Sequence, residues 1–235
     1  FRNTLVVHRD HVLTRQPDMN QVESFRAAGK LKPQIAFDPE GSTPIQFDAR
    51  SGKGNVLART RVTRLALQSL AIDWPRAKPL AQLVDEVAAA TPPEGGRSIA
   101  EHRAWVKSEI LPDLFLSYAG GLVELTTVED FFATAVPPRP VVSPWARICA
   151  ARGHALTNLR GDIVERDPLG LRILPMLDGS TDRRKVAQLL REFEKSGALT
   201  VGRDARGIRP ASLEAFDQIY DPLVNGLADW AMLMP

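Results

Sequence analysis

The sequence predicts an α+β chain built from two tandem winged-helix-like modules, mostly helical with short antiparallel strands. Three observations predict this fold. Apolar residues recur at helical spacing within residues 61–119 and again towards the C-terminus. Short runs rich in β-branched and aromatic residues alternate with turn residues over 31–59. A proline-rich stretch, 132–144, separates the two parts and has no helical periodicity.

The composition is that of an ordinary globular chain. Its 235 residues are 44% hydrophobic and 25% charged, which is enough apolar material for one or two cored domains. The net charge of +2 gives little support to nucleic-acid binding. One cysteine, Cys149, excludes an intrachain disulfide, and no apolar run is long enough for a membrane span. We therefore expect a cytoplasmic location and no membrane partner. Because the chain begins at Phe1 rather than Met, we also expect it to be a fragment.

The first module is predicted over residues 1–136. Its predicted elements, in order, are a strand at Leu5–Val7, a short helical turn over 20–28, three strand runs within 31–59, three helices within 61–119 and a strand over 122–125. Ser98 and Glu101 form a capping box for the third helix, and Ile99 is expected on its buried side. Pro112 is expected to bend that helix because it removes one backbone donor.

Three groups of residues in this module have features of a binding site. His8 and His11 have the spacing of half a metal site, but no cysteine or carboxylate set completes it, so two polar residues after a strand are favoured. The SGKG run at 51–54 is similar to a phosphate loop only superficially and fits a hairpin turn better. His102 and Trp105 could line a site, although packing is the favoured role.

A semi-rigid linker is predicted over 137–144 and the second module over 145–235. The module begins with a predicted helix over 145–151 that ends at Gly153, followed by strands over 155–160 and 163–166 joined by Gly161-Asp162. Two helices are predicted next, an apolar one over 169–177 and an amphipathic one that starts at Thr181 and Asp182. A strand over 198–201, a wing-like turn over 202–207 and a final helix from about Ser212 complete the module. This order is typical of a winged helix.

Several blocks resemble a known family. FRNTLVVHRD at 1–10 resembles the opening of the methyltransferase regulatory domain of bacterial S-adenosylmethionine-dependent methyltransferases. SPWARICAARG, ALTNLRGDIVERDPLG and ILPMLDGSTDR, which lie in that order within 143–183, resemble the C-terminal winged-helix domain of bacterial protein-lysine methyltransferases. The chain departs from the family at Gly161-Asp162, where relatives often carry a histidine or another polar pair.

The resemblance implies an upstream Rossmann-like catalytic domain that binds S-adenosylmethionine. This chain has no G-x-G-x-x-G after a strand, so we expect no donor site and no methyl transfer by the chain alone. Its expected role is to form a wall of the substrate cleft or to regulate access to it. The expected partners are its own catalytic domain and, as an open option, a protein substrate. No catalytic, cofactor-binding or metal-binding residue is assigned; the methyl acceptor and the oligomeric state stay open.

Two alternatives come from other functional classes. A nucleic-acid role would use basic residues of the amphipathic helix and the wing, namely Arg183, Arg184, Lys185, Arg191, Lys195, Arg203, Arg206 and Arg209. Asp182, Glu192 and Glu194 interleave with them, which favours a solvated face and makes nucleic acid an improbable partner.

An oligomerisation module would use the apolar C-terminal residues Trp230, Met232 and Met234. Cys149 and His154 could form a nucleophilic pair, but proximity in sequence does not establish one, because such pairs are recognised by geometry. A role for Cys149 as a small buried apolar residue is favoured.

Overall fold

The computed structural model describes residues 10, 18–36, 38, 41, 43–50, 52, 54–93, 95–166, 168–196 and 213–235, with side chains outside 168, 194 and 213–219. The chain forms two compact units. The first comprises Phe1–Asp73 and Ala77–Val128, and the second comprises Trp74–Arg76 and Glu129–Pro235. The domain limits given above, 1–136, 137–144 and 145–235, stay a prediction.

The first unit contains three long helices and two small antiparallel sheets. Its elements are α1 (Met19–Val22), β1 (Arg26–Gly29), β2 (Leu31–Pro33), β3 (Ile45–Ala49), β4 (Asn55–Ala58), α2 (Arg61–Asp73), β5 (Lys78–Pro79), α3 (Leu80–Ala90), α4 (Ile99–Ala119) and β6 (Val123–Thr126). The sheets have the strand orders β5-β1-β6 and β2-β3-β4. The order helix, strand, helix, helix, strand over 61–126 agrees with the predicted winged-helix-like module, and the α+β fold class is confirmed.

The strand β1 corrects the helical turn predicted over 20–28. The helix ends at Val22, and Arg26–Gly29 becomes the central strand of its sheet. Ala27 and Ala28 are fully buried, so the segment is held by packing and strand pairing rather than by helical propensity. A Cβ atom at Gly29 would lie 2.9 Å from Leu70 Cβ, so the strand approaches α2 closely only because this residue has no side chain.

The core of the first unit lies where α2, α3 and α4 pack against the sheets. Leu70, Leu83 and Ile110 are fully buried, as the helical periodicity predicts. The capping box is confirmed, because the Ser98 hydroxyl accepts from the Glu101 N–H and the Glu101 carboxylate accepts from the Ser98 N–H. Ile99, expected on the buried side of α4, is 83% exposed. It is the first residue of the helix, and the apolar face begins further along.

The second unit is mostly helical. Its elements are α5 (Pro144–Arg152), β7 (Leu156–Thr157), β8 (Ile163–Val164), α6 (Pro168–Ile173), a short 3-10 helix (Leu174–Met176), α7 (Arg183–Lys195) and α8 (Leu213–Asp229). Thr181 was expected to cap α7, but the Lys185 N–H donates to Asp182 Oδ1 at 2.9 Å, so Asp182 is the cap. The predicted strands at 5–7 and 198–201, the wing at 202–207, and His8 and His11 lie outside the described residues.

The proline-rich stretch contributes to the core of the second unit. Val142 is fully buried and forms a bridge to Leu233, and Val141 forms one to Asp178. Met232 and Leu233 are 1% and 0% exposed. Of the three residues predicted for oligomerisation, Met232 is buried within its own unit, whereas Trp230 and Met234 are half-buried. Oligomerisation through this segment stays an alternative prediction.

Candidate functional site

The first unit contains an open groove of about 540 Å³. One side is formed by β4, an edge strand of the sheet β2-β3-β4, and by the turn that follows it. The other side is formed by the C-terminal half of α4. The volume lies within the roughly 300–1,000 Å³ typical of ligand sites. Because both sides belong to one compact unit, the groove is a property of that unit alone.

A chain of three hydrogen-bonded side chains lines the groove where the start of α2 meets α4. Thr60 Oγ1 donates to Thr63 Oγ1 at 2.9 Å, and Thr63 Oγ1 donates to Asp113 Oδ2 at 2.7 Å. Thr63 is 3% exposed, so its hydroxyl is committed to these hydrogen bonds. They leave the second carboxylate oxygen of Asp113 without a bond from these hydroxyls.

A second carboxylate, Glu109, lies one turn before Asp113 on α4 and lines the same groove. Residues four apart on a helix are neighbours, and two like charges there repel by about 0.2–0.5 kcal/mol. Among the described lining residues, Arg59 is the one cation, against the two carboxylates of Glu109 and Asp113. The α4 wall of the groove is therefore negatively charged and suited to a positively charged ligand.

The opposite wall is a sheet edge. Among the described residues, strand β4 pairs with β3 alone, with Phe47 opposite Val56 and Ile45 opposite Ala58. The Ala49 N–H donates to the Gly54 carbonyl at 3.0 Å, and bonded pairs alternate along an antiparallel ladder. Val56 and Ala58 therefore bond to β3, whereas the main-chain groups of Asn55 and Leu57 point away from it. Both residues line the groove and are exposed.

His102, a possible site residue in the sequence, packs inside the first unit. It is 2% exposed, and its Nε2 lies 3.0 Å from Thr91 Oγ1. Since the Thr91 hydroxyl already donates to the Val87 carbonyl at 2.8 Å, it accepts from His102, which therefore carries its proton on Nε2. Trp105 is half-buried, and the centroids of its ring and of the His102 ring are 5.6 Å apart. The structure thus brings these two together in the core and away from the groove.

The other predicted candidates also have structural roles. The SGKG run, of which Gly52 and Gly54 are described, connects the antiparallel strands β3 and β4, and the Gly52 N–H donates to the Ala49 carbonyl. Cys149 is 4% exposed within the apolar core of the second unit, as predicted, and His154 is exposed. Within the described residues, no group of three or more histidine, cysteine, aspartate or glutamate side chains is placed to hold a metal ion.

The basic residues of α7 are in part committed to ion pairing. Arg183 Nη1 lies 2.9 Å from Asp221 Oδ1, and its guanidinium lies 5.5 Å from the centre of the Tyr220 ring. Arg184 and Lys185 are exposed. The wing residues Arg203, Arg206 and Arg209 lie outside the described part of the chain, so nucleic-acid binding by this face stays an alternative prediction.

Sequence reasoning missed two side chains in the block TNLRGD. Asn158 is 7% exposed; its Oδ1 accepts from the Arg160 and Asp162 N–H groups at 3.0 and 2.8 Å, which builds the turn between β7 and β8. The Arg160 side chain pairs with Asp130 at 2.9 Å and donates to the Pro75 carbonyl at 3.1 Å. Asn and Asp around a turn glycine signal such a turn, but the partners of Arg160 have no local signal.

Known proteins resemble this chain in both sequence and fold. Residues 138–232 match the family model of the PKMT C-terminal winged helix domain, which confirms the resemblance predicted for this part. The fold is similar to that of PKMT2 from Rickettsia typhi, with a TM-score of 0.77, 16% identity, and coverage of 97% of this chain and 46% of that chain.

The structure of PKMT2 from Rickettsia typhi in complex with AdoHcy gives a TM-score of 0.76 at 16% identity and covers 96% of this chain and 45% of that chain. The chain thus spans slightly less than half the length of these neighbours. No curated protein matches it. Within the described residues, no helix has the length and apolar character needed to cross a membrane.

Proposed function

We propose that this chain is a non-catalytic accessory region of an S-adenosylmethionine-dependent methyltransferase, which shapes or gates the substrate cleft of a Rossmann-like catalytic domain in the same protein. One observation carries the proposal. The family match covers 138–232, and the fold similarity extends over 97% of the chain while covering only 46% of the methyltransferase structure. The chain is thus similar to one part of such a protein.

The chemistry of the described residues supports an accessory role. A dinucleotide-type donor site needs a glycine-rich turn between a strand and a helix, where backbone N–H groups face the cofactor. The SGKG run at 51–54 instead joins two antiparallel strands, β3 and β4. The catalytic domain and its S-adenosylmethionine would supply the methyl group, and this region would contribute substrate contacts.

Calorimetry with S-adenosylmethionine tests the assignment. We expect the full-length protein encoded by the gene to bind the donor and this chain to give no heat above dilution. Tight donor binding by this chain alone would contradict the accessory role. Absence of binding by the full-length protein would contradict the methyltransferase assignment itself.

A transfer assay then tests shaping of the cleft. The catalytic domain is compared with and without this chain, at equal donor saturation, on a protein acceptor. We expect donor affinity to stay the same while the KM for the acceptor or the turnover number changes by tenfold or more, because remote binding groups act on substrate rather than on donor. Identical kinetics in both forms would refute the role.

A further inference from the structure

The two edges of the sheet β2-β3-β4 differ in their free main-chain groups. Between β2 and β3, the Gln34 N–H donates to the Gln46 carbonyl and the Arg50 N–H donates to the Lys30 carbonyl. Because bonded and non-bonded pairs alternate along an antiparallel ladder, the main-chain groups of Leu31 and Pro33 point away from β3. Pro33 has no N–H, and the Leu31 carbonyl accepts from Arg50 Nε at 3.2 Å. This edge is closed to a further strand in the way that sheet proteins commonly protect an edge.

The β4 edge has neither device, and none of the residues that the structure describes pairs with it on its outer side. Asn55 and Leu57 present their N–H and C=O groups outward, and both residues face the 540 Å³ groove rather than a covering strand. An exposed edge with free main-chain groups is a template for strand addition by a peptide. The structure keeps this edge open beside a concave surface while it closes the other.

The side chains around the groove define what a bound strand would carry. Leu57 and Leu116 are 44% and 68% exposed, and both line the groove. The Glu109 and Asp113 carboxylates line the same groove on the α4 wall. A lysine or arginine side chain has the two matching features, an aliphatic stem for the leucines and a cationic head for the carboxylates. Charge complementarity and the open edge therefore indicate the same ligand.

We propose that this groove binds an extended polypeptide segment of a partner protein, which adds as a strand to β4 and places a lysine or arginine side chain against Glu109. The main-chain groups of Asn55 and Leu57 hold the segment, and the carboxylate selects the cation. The inference goes beyond the accessory role proposed above and is measured independently of donor binding, so failure of one leaves the other standing.

The probe is the peptide Gly-Thr-Val-Lys-Val-Thr-amide, with fluorescein attached to the N-terminal amine in place of a cap so that the lysine stays free; it is titrated with this chain and followed by fluorescence anisotropy. Three matched peptides accompany it, one with glutamate in place of lysine and two with methylated backbone nitrogens, each on a different edge. We expect the glutamate peptide and one of the two N-methylated peptides to bind at least tenfold more weakly. Equal binding of the N-methylated peptides, with methylation tried on either edge, would overturn strand addition, and equal binding of the glutamate peptide would overturn the charge selection. No binding of the lysine peptide at millimolar concentration would overturn the proposal.

Variants of the chain locate the binding to the groove. Leu57→Pro removes an outward N–H and leaves the β3–β4 ladder bonds intact, so we expect a folded protein with at least tenfold weaker peptide binding. Glu109→Gln should weaken the lysine peptide about tenfold and leave a norleucine peptide unchanged. Glu165→Gln, at an exposed glutamate of the second unit, is the control and should change nothing. Unaltered affinity of both groove variants, with unaltered circular dichroism, would overturn the site.

Discussion

Replacing Arg160 with alanine should destabilise the second unit severely, because its guanidinium is buried among fixed partners. The side chain is 7% exposed and that of Asp130 is 14% exposed, so the ion pair between them is largely out of water. The guanidinium also lies 5.6 Å from the centre of the Trp74 ring and 5.8 Å from that of Phe132. The substitution therefore removes one charge from a desolvated pair and one cation from two aromatic faces.

The magnitude follows from what is left behind. Removing one partner of a buried ion pair costs about 3–5 kcal/mol, because the remaining charge loses its counter-charge while it stays largely out of water. The lost hydrogen bond to the Pro75 carbonyl falls within this sum, since Nη1 donates to both groups. We expect a loss of about 3 kcal/mol in the free energy of unfolding of the second unit.

Urea denaturation followed by tryptophan fluorescence measures this loss, with Trp74 as a reporter inside the second unit. Arg152→Ala, at an exposed arginine of α5, is the matched control and should shift the free energy by no more than about 0.5 kcal/mol. The double variant with Asp130→Asn should recover part of the loss, because the buried carboxylate is then neutral. A loss below about 1 kcal/mol, or no recovery in the double variant, would refute the reasoning.

Three further predictions use other parts of the chain. A hydrogen bond from Lys107 holds the pKa of Glu23 below its usual value, so the pair stabilises the first unit above the ordinary glutamate range and the stabilisation is lost as pH falls through the lowered pKa; Glu23→Gln should remove this part of the acid dependence in denaturation curves. Gly179→Ala should cost more stability than Gly153→Ala, since both residues have positive φ (87° and 68°) but only the Cβ of the former meets an atom, at 3.0 Å; equal melting temperatures would contradict this. Cys149 is 4% exposed and should react with a thiol reagent only at the rate of unfolding; rapid labelling of the native protein would show that its site opens.

Helices were the predictable part of this fold, because their signal is local. The stripe Leu80, Leu83, Val84 and Val87 lies within α3 and is buried throughout. The capping box of α4 needs only residues three apart. By contrast, Arg26–Gly29 has weak strand propensity and becomes a strand through pairing with distant β5 and β6, which no local pattern contains.

The groove could be predicted even less, because it depends on register. Which main-chain groups of β4 point outward is fixed by its pairing with β3, and a slip of one residue would exchange Leu57 for Val56. Arg160 shows the same limit, since its partners Asp130 and Pro75 lie 30 and 85 positions away. Glu109 and Asp113 carry no local signal either, since acids four apart on a helix are common on solvated faces.

The contrast between the two edges of the sheet β2-β3-β4 also governs how copies of this chain could polymerise. Growth of a fibre through edge pairing requires two open edges per copy, one to accept the preceding molecule and one to offer to the next. Here Pro33 and the Arg50–Leu31 bond close one edge. Pairing of two β4 edges is self-complementary and uses the open edge of both copies, so assembly through this sheet terminates at a dimer.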